Sequence, residues 1–232
     1  MSSKEYSAVV ASMEELGTIR HQVKEVKKNS YLFHEGDPIG GVFLIRSGKI
    51  RIEKITPNGR ELTLKICGPG QLIAEVTIFS EATKYMVDAR AIEDTVCLRI
   101  AINDLEEALL SNERLSSAFM KWMCIDQQKT QTKFWDLLLH GKKGALYSTL
   151  IRLSNSYGIQ TEKGLLIDLM LTNQELANFC GMTREVANRL LGELKKRGTL
   201  SLSDGKLCIH DIEHLKTETN CENRPIVMYK ID

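Results

Sequence analysis

The hydrophobic period of this chain changes once, near residue 101, and that change limits the fold more than any other feature. Before it, apolar and polar residues alternate. Ile50 and Ile52 stand between Lys49, Arg51 and Glu53, and Leu62, Leu64 and Ile66 between Glu61, Thr63 and Lys65. A period of two turns one side of a segment to a core and the other to water, as in a half-buried strand. Gly48 supplies the turn before the first strand. Pro57-Asn58-Gly59 closes a hairpin, because an Asn-Gly pair tolerates positive φ, and Gly68-Pro69-Gly70 turns the chain again. Val96, Leu98 and Ile100 resume the alternation. Short strands spaced by about 8 to 12 residues predict an antiparallel roll or barrel, here over residues 1–101.

From Asn103 the apolar residues fall at three- and four-residue steps: Leu105, Leu109 and Leu110, then Leu115, Phe119, Trp122 and Met123. No Pro or Gly occurs between Ala101 and His140. One long helix over 102–140 is predicted, or two joined near Asn112. Past Trp122 the stripe turns polar through Asp126, Gln127, Lys129, Thr130 and Lys133, before Phe134 and Leu137, Leu138 and Leu139 restore it. A lone helix gains little from such a stripe, so it either packs on the roll or forms a seam with a second copy. Leu115, Phe119 and Trp122 are the candidate dimer-interface residues. Leu146, Leu150 and Leu153 then mark a helix over Ala145 to Asn155 that ends at Tyr157-Gly158, and Leu165, Ile167 and Leu169 mark a short strand.

The segment from Leu171 to Leu191 carries the functional signal. Thr172 followed three residues later by Glu175 is a capping box, and Leu176, Ala177, Phe179 and Cys180 give the helix behind it an apolar face. Gly181 permits a sharp turn and Thr183 can cap the next helix. There Val186, Leu190 and Leu191 point inward and leave Arg184, Glu185, Asn188 and Arg189 outside. This is a helix-turn-helix. A helix that reads the major groove needs Arg to grip guanine O6 and N7 and Glu to accept from cytosine N4. Arg189 and Glu185, one turn apart, meet both needs, although the same two residues could instead form a plain i, i+4 surface pair. Lys195 and Lys196 help to give residues 181–206 a net charge of +3 in a chain whose total is +1, so the basic patch sits where phosphates would be. Asp204-Gly205 between Leu200, Leu202 and Leu207, Ile209 closes a hairpin, which makes the module winged. The fold class is therefore α+β: an N-terminal antiparallel β-roll for sensing, a long dimerisation helix over 102–140, and a C-terminal winged helix-turn-helix over 141–232. Double-stranded DNA and a second copy of the chain are the predicted partners.

Composition narrows the alternatives. Near neutrality excludes a wholly basic coat for nucleic acid, and 43% hydrophobic with 26% charged residues is the balance of a folding, soluble chain. No run approaches the roughly 18 apolar residues that span a bilayer, and Met1 to Tyr6 lack the order of a signal peptide, so no membrane partner and a cytoplasmic location are expected. The six cysteines are scattered, as reduced thiols would be. No Ser/His/Asp set, phosphate-loop glycine pattern or H-E-x-x-H is present, so no enzyme activity is expected. Cys208, His210, His214 and Cys221 are of zinc-ligand type, but their spacing matches no standard module.

Roll, long helix and winged helix in this order resemble the Crp/Fnr superfamily of bacterial transcription regulators over nearly the full chain. Tyr31-Leu32-Phe33-His34-Glu35-Gly36, the Asn58-Gly59 hairpin and Glu75 with Phe79 resemble its effector-domain pattern, and Thr183 to Arg189 its recognition helix, with Glu185, Asn188 and Arg189 at the base-reading positions of the Fnr type. The run from Asp136 to Gly158 resembles the Fnr-type members of bacilli more closely still. The resemblance implies that the long helix is the dimer seam, that the operator has two half-sites one helical turn apart, and that surfaces such as Thr56–Arg60 and Ser80–Lys84 touch RNA polymerase.

Two departures bear on cofactors. Cyclic-nucleotide binders of the superfamily follow the Glu of their phosphate loop with Arg-Ser. Here the residues aligned after Glu75 are Tyr85 and Met86, which cannot neutralise a phosphate, so these three are effector-pocket candidates without cyclic AMP. Bacilli-type relatives end in C-x2-C-x4-C, whose thiolates hold a [4Fe-4S] cluster together with an Asp of the dimer helix. Here Asp136 stands at the carboxylate position, but Cys221 is the one thiol left of the three, and a cluster needs four donors. No cofactor is therefore predicted. The alternative is a redox or metal sensor in which Cys221, with Asp136, controls DNA affinity; for thiol chemistry at Cys124 or Cys221, nothing nearby in sequence lowers a pKa.

Overall fold

The computed structural model describes residues 9, 11–74, 83–221 and 225–232. The chain divides into two compact units, with the boundary between Ile125 and Asp126 inside the long helix.

The first unit is built on eight strands: β1 (His21–Val26), β2 (Tyr31–Phe33), β3 (Val42–Ser47), β4 (Ile50–Ile55), β5 (Glu61–Cys67), β6 (Leu72–Ile73), β7 (Asp88–Ala91) and β8 (Thr95–Ile100). They form two antiparallel sheets, ordered β1-β8-β3-β6 and β2-β7-β4-β5. Side chains of both sheets, including Phe33, Phe43, Ile45, Ile50, Ile52, Ala89 and Cys97, meet in one core. The β3–β4 turn requires glycine: Gly48 has φ +80°, and a Cβ there would come within 2.3 Å of the Asp94 carbonyl oxygen. Asn58-Gly59 closes the β4–β5 hairpin, with Gly59 at φ +77°.

Strand β4 departs from the alternation read in the sequence. Arg51 and Glu53, expected on the wet side, are buried along with Ile50 and Ile52. Arg51 Nε donates to Glu53 Oε2 at 2.7 Å, which offsets part of the cost of burying both charges, while Glu53 Oε1 has no hydrogen-bond partner among the described residues. Burial pushes the Glu53 carboxyl above its ordinary pKa, and the guanidinium works against that rise.

Helix α1 (Ile102–Ser111) is followed by α2 (Glu113–Tyr157), with Asn112 between them in an extended conformation. The Asn112 side chain accepts from the Leu115 amide at 3.0 Å, so a new helix starts there as expected for an N-cap. Helix α2 places the residues expected at a dimer seam largely within the chain's own packing. Leu115 and Phe119 are 3% exposed within the single chain, and Trp122 is half-buried beside Phe119, with ring centroids 5.5 Å apart. The most apolar stripe is thus spent on the chain's own packing. Met120, Phe134 and Leu138, all more than half exposed, lie on the opposite face with Cys124, Gln127 and Gln131.

The second unit begins within α2, which breaks at Gly141 (φ 57°, ψ −155°). Four strands, β9 (Gly158–Thr161), β10 (Gly164–Ile167), β11 (Leu200–Ser203) and β12 (Lys206–Ile209), make an antiparallel sheet in the order β11-β12-β10-β9. Three short helices, α3 (Asn173–Phe179), α4 (Arg184–Lys196) and α5 (Ile212–Glu218), and a 3-10 turn (Ile226–Tyr229) complete it. Strand β9 has no apolar alternation and was not expected; its hairpin partner β10 recruits it through backbone pairing from Gly164–Thr161 to Ile167–Gly158. The architecture is α+β: a jelly-roll domain, a long helix and a winged helix-turn-helix. No described helix is long and apolar enough to cross a membrane.

Candidate nucleic-acid interface

Helix α3 starts on the predicted capping box. Thr172 Oγ1 accepts from the Glu175 amide at 3.2 Å, and the Thr172 amide donates to Glu175 Oε2 at 2.8 Å. Thr172, a candidate DNA contact, thus has its side chain engaged in holding the helix end. Gly181 at φ +58° turns the chain into α4. Ala187, Leu190, Leu191 and Leu194 bury one side of that helix, while Arg184, Glu185, Asn188, Arg189, Lys195 and Lys196 are exposed. The wing turn uses Asp204 (φ 50°) and Gly205 (φ 77°), a conformation that matches the twist of a two-residue hairpin.

The exposed side chains are organised before any ligand arrives. Arg189 Nη1 donates to Glu193 Oε1 at 2.8 Å, so its surface partner lies one turn forward and Glu185 is left to other bonds. Asn188 Oδ1 accepts from Asn173 Nδ2 at 2.6 Å, which ties the two helices of the motif together at the surface. Thr183 takes the N-cap backbone conformation but makes no side-chain bond to the helix amides. Its hydroxyl serves the Glu185 carboxylate instead; the Glu185 amide, and after it that hydroxyl, hold the carboxyl below its ordinary pKa. Glu185 is thus ready to accept a hydrogen bond as an anion at neutral pH.

Of the effector-pocket candidates, the described residues Tyr85 and Met86 do not face one pocket. Tyr85 is 4% exposed, stacks on Phe33 with centroids 3.7 Å apart, donates to the Gly41 carbonyl and accepts from the Gly40 amide, both at 3.1 Å. Met86 points the other way and is 69% exposed, because neighbours on an extended chain face opposite sides. Glu75 and Phe79 lie outside the described residues, as do positions 80–82 of the Ser80–Lys84 segment. Tyr85 and Met86 offer neither a cation nor a free hydroxyl to a cyclic phosphate.

Asp136 and Cys221 are not arranged as cluster ligands either. Asp136 is 2% exposed and holds three donors: Ser148 Oγ at 2.5 Å and Arg152 Nη2 at 3.1 Å on Oδ2, and the Tyr229 hydroxyl at 3.1 Å on Oδ1. Cys221 is buried and accepts from Thr219 Oγ1 at 3.1 Å. In the C-x2-C-x4-C spacing, Arg224 and Tyr229 occupy the other two positions, and Tyr229 donates to the carboxylate that would be a ligand. This donor set does not fit an iron–sulfur cluster. Nor do the zinc-type residues assemble: His210 is bonded to the Lys163 carbonyl at 2.5 Å and Ser201 Oγ at 2.8 Å, and no group of three His, Cys, Asp or Glu suited to a metal occurs among the described residues.

Arg152, Tyr229 and Lys133 were missed in the sequence, because their partners are far away along the chain. Lys133 is a further cation of this region, half-buried as a residue; its ammonium lies 5.5 Å from the centroid of the Phe179 ring, and desolvation of that group pulls its pKa down to about 8 from 10.5. Between those values the unfolded chain holds a proton that the folded chain has released, so stability rises with pH across that window and the lysine costs stability below it. Lys133→Met is therefore expected to stabilise the protein by roughly 1–3 kcal/mol at pH 7, an advantage that shrinks as pH rises from 8 to 10.5. Urea unfolding at stepped pH checks this; a difference independent of pH would contradict it.

Comparison with known proteins agrees with this geometry. Residues 23–112 match the cyclic nucleotide-binding domain family and residues 144–218 the Crp-like helix-turn-helix domain family. The chain is 48% identical over 210 residues to the anaerobic regulatory protein of Bacillus subtilis (strain 168), a match covering 90% of this chain and 88% of that protein. It is 26% identical over 211 residues to the CRP-like cAMP-activated global transcriptional regulator of Mycobacterium tuberculosis (strain ATCC 25618 / H37Rv), covering 91% and 92%. Among solved structures, the c-di-GMP responsive global regulator CLP of Xanthomonas campestris superposes with a TM-score of 0.74 at 23% identity, covering 87% of this chain and 99% of that one. A CooA mutant from Carboxydothermus hydrogenoformans gives 0.74 at 22% identity, covering 94% and 92%.

Proposed function

Because this chain belongs to the Crp/Fnr family of DNA-binding transcription regulators, we propose that it acts as a homodimer on a two-fold symmetric operator, in anaerobic gene control, without an iron–sulfur cluster or cyclic AMP. The observation that carries this reading is the exposed face of α4, where Arg184, Glu185, Asn188 and Arg189 stand over a buried apolar stripe. Arg189 grips guanine O6 and N7, Glu185 accepts from cytosine N4, Asn188 reads an adjacent base, and Lys195 and Lys196 meet phosphates. The similarity to an anaerobic regulatory protein supports the physiological setting.

The second copy packs along the exposed face of α2. Met120, Cys124, Gln127, Gln131, Phe134 and Leu138 follow each other at alternating steps of four and three residues, the repeat of a two-stranded coiled coil. The exposed Thr56–Arg60 turn, braced by the Arg60 amide donating to Thr56 Oγ1 at 3.1 Å, is offered as a contact for RNA polymerase. Selection of bound duplexes from a random two-fold symmetric library, followed by titration of the selected duplex with one half-site scrambled, tests the reading. A dimer should need both halves for tight binding; undiminished binding to the half-scrambled duplex would overturn it.

A further inference from the structure

The buried polar group around Asp136 bridges the break in α2 and brings a distant stretch of chain with it. At Gly141 the helix adopts a left-handed φ, and a Cβ there would meet open space among the described residues. Gly144 is needed beside it, because a Cβ there would fall 2.0 Å from the His140 Cβ. Hydrogen bonds away from the joint span the two arms of α2. Arg152, 1% exposed on the arm after Gly141, donates through Nη2 to Thr132 Oγ1 at 3.0 Å and Asp136 Oδ2 at 3.1 Å on the arm before it.

Residues 225–231 lie over this bridge and touch both arms. The Met228 carbonyl accepts from Arg152 Nη1 at 2.9 Å and lies 3.3 Å from the Thr132 hydroxyl, so one oxygen joins the two arms. The Tyr229 hydroxyl donates to Asp136 before the joint, while its ring lies 4.4 Å from the Arg152 guanidinium carbon after it. Asn155 Nδ2 donates to the Tyr229 carbonyl at 2.6 Å, and the Ile231 amide donates to Ser156 Oγ at 3.0 Å. Val227, Tyr229 and Ile231 are buried in alternation.

We propose that this segment is an internal strap that sets the angle at Gly141, making Tyr229, Asp136 and Arg152 positioning residues for operator recognition. The inference rests on the dimeric DNA-reading function above. The arm before Gly141 carries Phe134 and Leu138 of the seam, and the arm after it leads into the reading module. The strap thus fixes how far apart two recognition helices stand, and with that the half-site spacing the dimer accepts. An angle held by a hydrogen-bonded strap tolerates only one spacing; a loosened one tolerates several.

The test titrates wild type, Tyr229→Phe, Thr132→Val and a chain stopped after Arg224 on the library-selected duplex and on versions with two base pairs inserted or removed between the half-sites. Wild type should prefer the selected spacing strongly. Tyr229→Phe, which removes one hydroxyl, should reduce that preference at least about fivefold while melting temperature and affinity for random DNA stay near wild type, and the stopped chain should lose the preference altogether. A purely structural role would lower binding to every duplex in proportion to the folded fraction and leave the spacing preference intact; that result, or full preference in Tyr229→Phe and Thr132→Val, would overturn the strap. Should the stopped chain fail to fold, these two substitutions decide the matter. If wild type itself shows no spacing preference, the dimeric reading fails first, and the strap with it.

Discussion

Arg189→Ala is expected to abolish operator-specific binding while leaving the fold and the affinity for random DNA nearly unchanged. Its guanidinium is 65% exposed and pairs with Glu193, itself 45% exposed. Such a surface pair contributes little to stability and yields readily to a better partner. A bidentate grip on guanine contributes roughly 1–3 kcal/mol of discrimination. With one Arg189 in each half-site the dimer loses about twice that, a fall in specific affinity of roughly 30-fold to more than 10,000-fold. Lys196→Ala supplies the contrast. It removes a phosphate contact, so specific and random duplexes should weaken together and the slope of log affinity against log salt should fall by about 1. Parallel losses from the two substitutions, measured at one salt concentration, would remove Arg189 from the base-reading role.

The dimer should fail when charge enters the exposed face of α2, and survive when it enters the face expected from the sequence. Phe134→Glu with Leu138→Glu places carboxylates opposite their own copies in an apolar seam. Like charges brought together there cost several kcal/mol, enough to weaken association by at least roughly 100-fold. Sedimentation at a concentration where wild type is dimeric should then show folded monomer. Trp122→Glu should behave differently. That ring packs beside Phe119 within the chain, so the variant should melt earlier yet remain dimeric while folded. Monomeric Trp122→Glu beside dimeric Phe134→Glu, Leu138→Glu would return the seam to the Leu115, Phe119 and Trp122 face.

How far apart in the chain two partners lie decides where the sequence was legible. Local chemistry could be read directly: the Thr172/Glu175 capping box, the Gly181 turn, the Asp204-Gly205 wing and the Asn58-Gly59 hairpin each depend on residues within a few positions of one another. The exposed face of α4 was largely legible for the same reason: Leu190 and Leu191 are buried as expected, while Val186, also expected inward, is half-buried and Ala187 beside it fills the core position. Which stripe of α2 the chain buries itself was not legible, because an apolar stripe suits the chain's own core and a partner alike; Leu115 and Phe119 went to the core. Strand β4 hid its burial for a related reason: Arg51 and Glu53 look solvated one at a time and are buried as a pair. Arg152, Tyr229 and Asp136 lie up to 93 positions apart, and no local pattern announces a contact of that separation.

The same long-range contacts bear on the sensor. Asp136 could be read from the sequence as half of a ligand set; in the fold its two oxygens already serve Ser148, Arg152 and Tyr229. Releasing it to bind a metal would leave Arg152 buried with its counter-charge removed, a change costing roughly 3–5 kcal/mol. The most direct measurement is the iron content and operator affinity of one sample, purified without oxygen and titrated before and after exposure to air. The expected result is a colourless, iron-free dimer that binds the selected duplex equally in both states. A brown, iron-bearing protein whose affinity collapses in air would contradict it, and would mean that Asp136 and Cys221 leave the partners seen here to hold a cluster.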